Sequence, residues 1–347
     1  MLDRPSAVRK RLLELLPEIA DSARVGQSPW RLALRRLRRD RVALAFGVLF
    51  VVLVLGALAA PLWASSVADR EPNRTNETGK IEVDGKQVDV VSLEGVPIGP
   101  QWRGEYFLGA DANGRDVMVR LLYGARNSLL IGLAAALLTT ILATIVGLVA
   151  GYFGRWVDAV ARSALDVIWA FPVILLGVAL GTSLAVGGLR IGPFELEAGS
   201  MAISVLVIAV VYVPYMARPI RGEVLALRER EFVEAARAQG VGPLRMMAGE
   251  LLPNLTSTII VFAPLMVANA VLLEAALSFL GVGVVPPDPS WGNMIDAGVD
   301  KLVTAPHLAI APGLMLVLTV LALNVFGDGV RDAFDPRSDS AWGTRRI

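Results

Sequence analysis

Few residues of this chain are of a type and spacing that could do chemistry, and each of them fails a specific requirement. There is one histidine, His307, and no cysteine. Thiolate metal sites, disulfides, a cysteine nucleophile and multi-histidine metal centres are therefore excluded, and a histidine-based triad is disfavoured. An ATP-binding Walker A loop needs a glycine five places before a Gly-Lys pair and Ser or Thr after it, because backbone amides must wrap the phosphates. Gly79-Lys80 has Arg74 at that place and Ile81 after it; Gly85-Lys86 has Lys80 and Gln87. The chain does not hold ATP by that device. With 33 Lys plus Arg against 32 Asp plus Glu, a net charge of +1, it also has no global basic field for nucleic acid.

The most informative stretch is mechanical instead. It runs Glu231-Phe-Val-Glu-Ala-Ala-Arg-Ala-Gln-Gly240, then Val-Gly-Pro243-Leu-Arg-Met-Met-Ala-Gly-Glu-Leu-Leu-Pro253-Asn254. Ala235 and Ala236 are small and helix-favouring, so another surface can approach closely, and Gly240 is suited to a left-handed cap. Pro243 can open a second helix, on which Leu244, Met247 and Leu251 share a face before Pro253 stops it. Two short helices at an angle, with one apolar face, suit docking to a partner.

The elements that must hold this loop are apolar runs. A membrane-crossing helix needs about 20 apolar residues, and six segments free of Asp, Glu, Lys and Arg qualify: 42–63, 128–153, 167–186, 201–217, 255–273 and 308–327. With 54% hydrophobic and 19% charged residues, the chain reads as an all-α membrane protein with six spans. Basic residues set its orientation. Eleven lie in 1–41, six in the 218–254 loop and four after Gly327, whereas 187–200 and 274–307 have one each, Arg190 and Lys301. Both termini (1–41 and 328–347) and the 218–254 loop are thus expected inside the cell. The long 64–127 stretch is expected outside, since long loops escape the rule.

The first run, following the arginine-rich leader without a cleavage site, reads as a retained anchor and not as a signal peptide. In that leader Trp30, Leu34 and Leu37 share a face opposite arginines; such a helix either lies on anionic lipid or only sets topology. Within 65–100 the alternation from Ile81 to Val91 predicts a hairpin turning at Asp84-Gly85, in a small β insertion.

Glu234-Ala-Ala, then Gly240, then Leu-Leu-Pro253 resembles the EAA loop of the membrane subunits of binding-protein-dependent ABC importers. Glu250 departs from that family's apolar consensus, leaving Leu251 to bury. The runs 108–116, 121–129, 274–283, 286–292 and 331–337 (Leu-Gly-Ala-Asp-Ala-Asn-Gly-Arg-Asp, Leu-Leu-Tyr-Gly-Ala-Arg-Asn-Ser-Leu, Glu-Ala-Ala-Leu-Ser-Phe-Leu-Gly-Val-Gly, Pro-Pro-Asp-Pro-Ser-Trp-Gly and Arg-Asp-Ala-Phe-Asp-Pro-Arg) are similar to the dipeptide, oligopeptide and nickel importer permeases, specifically the second of their two permease chains. The likeness covers residues 28–337 except the insertion. It implies a type I importer permease fold in a prokaryotic inner or plasma membrane, with a core domain over 128–327. It also implies a coupling role for Phe232, Glu234, Ala235, Ala236, Gly240, Leu244, Leu251 and Pro253, a pore shared with a homologous permease, two ATPase subunits carrying ATP and Mg, and an external binding protein. The chain itself is expected to bind no cofactor or metal and to catalyse nothing.

Glu274, Asp166 and Asn269 are candidates for a gate or solute pathway. Glu274 is either an intramembrane functional residue or a solvated cap. Asp158, Arg162 and Asp166, spaced four apart, predict an ion-pair array on a helix face, with a gating role as the alternative. Gly147, Gly151, Gly177 and Gly181 offer faces for close helix packing, and His307 reads as an interface residue in preference to a proton relay. An ion-coupled secondary transporter would want intramembrane acids in pairs and inverted repeats, which the six uncharged cores lack. An intramembrane enzyme would want clustered nucleophile, base or metal ligands.

Overall fold

The computed structural model describes residues 29–334, apart from 84, 192 and 193. The leader before residue 29 and the tail beyond 334 lie outside the described residues. Helix α1 (Pro29–Leu37) leads to α2 (Arg41–Leu58), whose first turn is capped by Asp40 accepting from the amides of Val42 and Ala43. A short α3 (Ala60–Trp63) and a π turn, Ala64–Ala68, finish the first apolar run. Outside it, β1 (Lys80–Val83) and β2 (Lys86–Asp89) form the expected hairpin, with Gly85 at φ +77° in its two-residue turn. Val90, Tyr106 and Ala110 give this region a small core of its own.

The second span begins earlier than its apolar run. Helix α4 (Val117–Phe153) is 37 residues long because Asp116 caps it, accepting from the Val119 amide at 3.0 Å, and residues 117–127 extend the helix outward. Asp116 also accepts from the Tyr106 amide at 2.6 Å. Burial is the largest influence on this carboxyl and pushes it above the usual range.

The expected third span, 167–186, is broken. Helix α5 (Arg155–Trp169) and helix α6 (Val173–Gly187) meet at 91°. The break falls at Ala170-Phe171-Pro172, where proline disfavours helical backbone in the residue before it. A second hairpin, β3 (Leu189–Ile191) with β4 (Phe194–Leu196), follows and was not foreseen.

Helix α7 (Met201–Leu227) passes through Pro214 and Pro219 and runs ten residues beyond the apolar run that ends at Ala217. After the loop helices α8 (Glu231–Ala238) and α9 (Pro243–Arg245) comes α10 (Leu252–Phe279). Then α11 (Trp291–Val299) starts with a Ser290–Asn293 capping box, and α12 (His307–Phe334) ends the described chain. Among the described residues five helices are long and apolar enough to cross a membrane, or six spans if the bent pair counts as one.

Glycines set the central helix contact. A Cβ on Gly147 would lie 2.8 Å from Ile220 Cγ2 and 2.9 Å from the Ala217 carbonyl oxygen, and one on Gly151 would lie 2.7 Å from Val224. Helix α4 thus meets α7 at backbone distance. Gly177 meets Leu277 and Gly181 meets Val282 more loosely. The main core unites α4, α7 and α10 through Ile131, Ile208, Met216, Ile220, Leu255 and Leu273. Large apolar side chains remain exposed along α2, α4 and α12, as lipid or a partner helix requires.

Candidate functional site

The loop between α7 and α10 is built from two capped pieces. Helix α8 ends in paired bonds: Val241 N donates to Ala236 O at 3.1 Å and Gly240 N to Arg237 O at 2.9 Å. With Gly240 at φ +80°, this is a Schellman ending, which an L side chain at that position would strain. Pro243 then opens α9, and a π turn over Met246–Leu251 joins it to α10.

Two expectations about this segment are corrected. Pro253 does not stop the second helix, because Pro243–Phe279 runs on as one apolar rod of 37 residues. The π turn shifts the hydrogen-bonding register just ahead of the proline, and the Leu252 amide bonds to Met247 O. The face is also different. Met247 and Leu251 turn inward, Leu251 being 0% exposed, while Leu244 is 79% exposed and points away from them. The wider π turn rotates the later residues away from the 3.6-residue repeat that would align all three.

The loop therefore has an anchored side and an open side. Val233, Met246, Met247 and Leu251 belong to the main core. Phe232, Glu234, Ala235, Gly240, Leu244 and Pro253 are exposed, and Ala236 is half-buried. Arg228 Nη1 donates to Gly151 O at 3.2 Å, and the Arg237 guanidinium lies 6.0 Å from the centre of the Tyr152 ring, so both tie the loop to the end of α4. A partner that touched the open side would push on a loop locked into the bundle behind it.

Residues 143–340 match the family described as binding-protein-dependent transport system inner membrane component. The chain belongs to that family. Residues 28–77 match the N-terminal TM domain of oligopeptide transport permease C. The glutathione transport system permease protein GsiD of Pectobacterium atrosepticum is 35% identical over 332 residues, 96% of this chain and 98% of that protein. The dipeptide transport system permease protein DppC of Alkalihalophilus pseudofirmus is 36% identical over 90% of this chain and 91% of that protein. A solved chain of the methionine ABC transporter MetNI, inward facing, overlays with a TM-score of 0.49 at 19% identity, covering 62% of this chain and 97% of that one, a likeness too slight to argue from.

In the permease the three gate candidates are not brought together. Asp166 is exposed on α5 and accepts from Arg218 Nη2 at 2.7 Å; the Arg218 guanidinium lies 5.0 Å from the Trp169 ring centre. Half of the expected array forms, Arg162 pairing with Asp158 at 2.8 Å, while Asp166 leaves it for Arg218 and Asp158 also takes Arg221 of α7. Carboxylates on α5 thus fasten it across to α7. Asn269 is half-buried on α10. Glu274 is 0% exposed and is no solvated cap, since α10 continues past it to Phe279. His307 opens α12 beside Gly109, whose Cβ would lie 2.9 Å from its Nε2, a packed position between the outer region and the bundle. Asp158→Asn is expected to loosen α5 from α7, so that limited proteolysis cuts near Gly154 faster than in the unaltered permease; unchanged cutting would deny the fastening role.

Among the described residues no group of three His, Cys, Asp or Glu could hold a metal. The sequence missed Arg120, buried in the first turn of α4. Its Nη1 donates to Pro72 O at 2.9 Å, Asn73 Oδ1 at 3.0 Å and Pro287 O at 3.2 Å, stapling the segment between α3 and α4 to the loop before α11. Only the run Asp116 to Arg120, an acidic cap with arginine one turn on, hinted at it.

Proposed function

We propose that this permease is the translocation subunit of an ATP-driven peptide importer, sharing a pore with a homologous permease and receiving solute from an external binding protein. The 218–254 loop takes the ATPase subunit, whose nucleotide cycle supplies the force; the permease hydrolyses nothing itself. The observation that carries this reading is the two-sided loop: Phe232, Ala235 and Leu244 open to a partner while Val233, Met246 and Leu251 are clamped in the bundle. A contact on the open side moves the rod that starts at Pro243, so nucleotide and loaded binding protein bias one two-state bundle. The names of the relatives, which include dipeptide and glutathione systems, favour short peptides as solute. Nickel or another small solute is the alternative that the motif resemblance keeps open.

The direct test is uptake into proteoliposomes by the co-purified complex with its own binding protein, using labelled dipeptide, glutathione and nickel in parallel. ATP-dependent dipeptide or glutathione uptake is the expected result; nickel uptake alone would replace the peptide reading. Orientation has its own check. A protease outside the cell is expected to cut between residues 64 and 100, and one inside between 228 and 242. The reverse pattern would overturn the topology.

A further inference from the structure

Glu274 lies at the far end of the rod that begins in the loop. From Pro243 to Phe279 the helix is unbroken except for the π turn, about 55 Å at 1.5 Å per residue. Its outer end meets α4 and the segment that leads into α11. Three serines gather there: Ser128 of α4, Ser278 of α10 and Ser290, the cap of α11, each buried. Every one of their hydroxyl oxygens already accepts from a backbone amide. Trp291 N donates to Ser128 Oγ at 3.2 Å, Val284 N to Ser278 Oγ at 2.9 Å and Asn293 N to Ser290 Oγ at 3.2 Å. Each hydroxyl still has its single proton to donate. Ser278 gives its proton to Glu274 Oε1 at 2.7 Å, and the hydroxyls of Ser128 and Ser290 flank the same carboxyl, whose Oε2 is buried without a formed bond.

We infer that Glu274 is a positioning residue that, by holding the Ser278 hydroxyl, pins the outer segment 280–291 to the coupling rod, so that movement of the cytoplasmic loop reaches the external face. Packing at the junction is tight: a Cβ on Gly292 would sit 2.2 Å from Ala275 O, and one on Gly283 2.2 Å from Ser278 Oγ. Trp291, fully buried, also donates its ring N–H to Leu121 O at 3.3 Å. With this packing the outer segment has little room to slide over the rod: the carboxyl holds the Ser278 hydroxyl that takes the Val284 amide, and Ser128 of α4 takes the Trp291 amide.

The inference rests on the importer reading, and its test separates the two. The complex of permeases and ATPases is reconstituted, and ATP hydrolysis is measured with and without loaded binding protein for the unaltered chain, Glu274→Leu, Glu274→Gln and the paired Ser278→Ala, Ser290→Ala variant. No stimulation in the unaltered complex would refute the importer reading itself. Given stimulation there, Glu274→Leu is expected to keep its ATPase subunits and basal hydrolysis but to lose roughly tenfold in stimulation, the size of one lost buried hydrogen bond. Glu274→Gln, which keeps an acceptor for Ser278, is expected to recover most of it. The serine pair is the milder probe should Glu274→Leu fail to assemble, and a partial loss is expected there. Full stimulation in both Glu274→Leu and the serine variant, or in the serine variant alone where Glu274→Leu does not assemble, would overturn the positioning role.

Discussion

Gly240→Val is expected to strip the ATPase subunits from the purified complex while leaving the chain inserted in the membrane. At φ +80° the position lies in the left-handed region, which costs an ordinary L residue about 1–2 kcal/mol and a β-branched one more. No atom stands within 4 Å of a Cβ there, so the penalty is one of backbone conformation and not of collision. It falls on the bonds from Val241 and Gly240 that close α8, and the helix unwinds or turns away from the axis that presents Phe232 and Ala235. The core side of the loop, built from Met246, Met247 and Leu251, is untouched, and so is insertion. Ala235→Glu tests the same surface without altering the backbone, because a larger charged side chain on an exposed small residue blocks close approach. Normal transport by both variants would sink the coupling assignment.

The second large effect is expected at Gly147→Leu. Its Cβ would meet the Ala217 carbonyl oxygen at 2.9 Å and Ile220 Cγ2 at 2.8 Å, and a backbone atom cannot swing aside as a side chain end can. Overpacking of this kind costs roughly 1–3 kcal/mol where a core can adjust, and more where two long helices must part along their length. The variant should be recovered at a small fraction of the usual yield and should aggregate in mild detergent at a lower temperature. Gly222→Leu, on α7 with nothing within 4 Å of its added carbon, is the control, expected to purify normally. Equal behaviour of the two would mean that α4 and α7 do not meet as described.

Both predictions concern residues readable from sequence, and the reasons differ. Gly240 was legible because a glycine just after Glu-Ala-Ala has a local job, to end a helix. The apolar spans were legible because a run without charge needs no tertiary context to be recognised. Their ends were not. Asp116 extends α4 outward past polar residues that no hydropathy pattern includes, and Phe171-Pro172 bends a run that looks continuous. The outward turn of Leu244 follows from a π turn, which shifts the helical repeat that any face assignment assumes. The setting of Glu274 depends on Ser128 and Ser290, which belong to other elements; burial of that sort is a property of assembly and leaves no trace in local spacing.

The central claim is that the open side of the 218–254 loop is where force enters the permease. A photo-crosslinking residue placed at Leu244 in one variant and at Met247 in another, followed by irradiation in native membranes and identification of the linked chain, tests it most directly. The loop geometry predicts an adduct with a Walker-containing ATPase from position 244 and none from the buried position 247. No ATPase adduct from 244, in membranes that still transport, would contradict it.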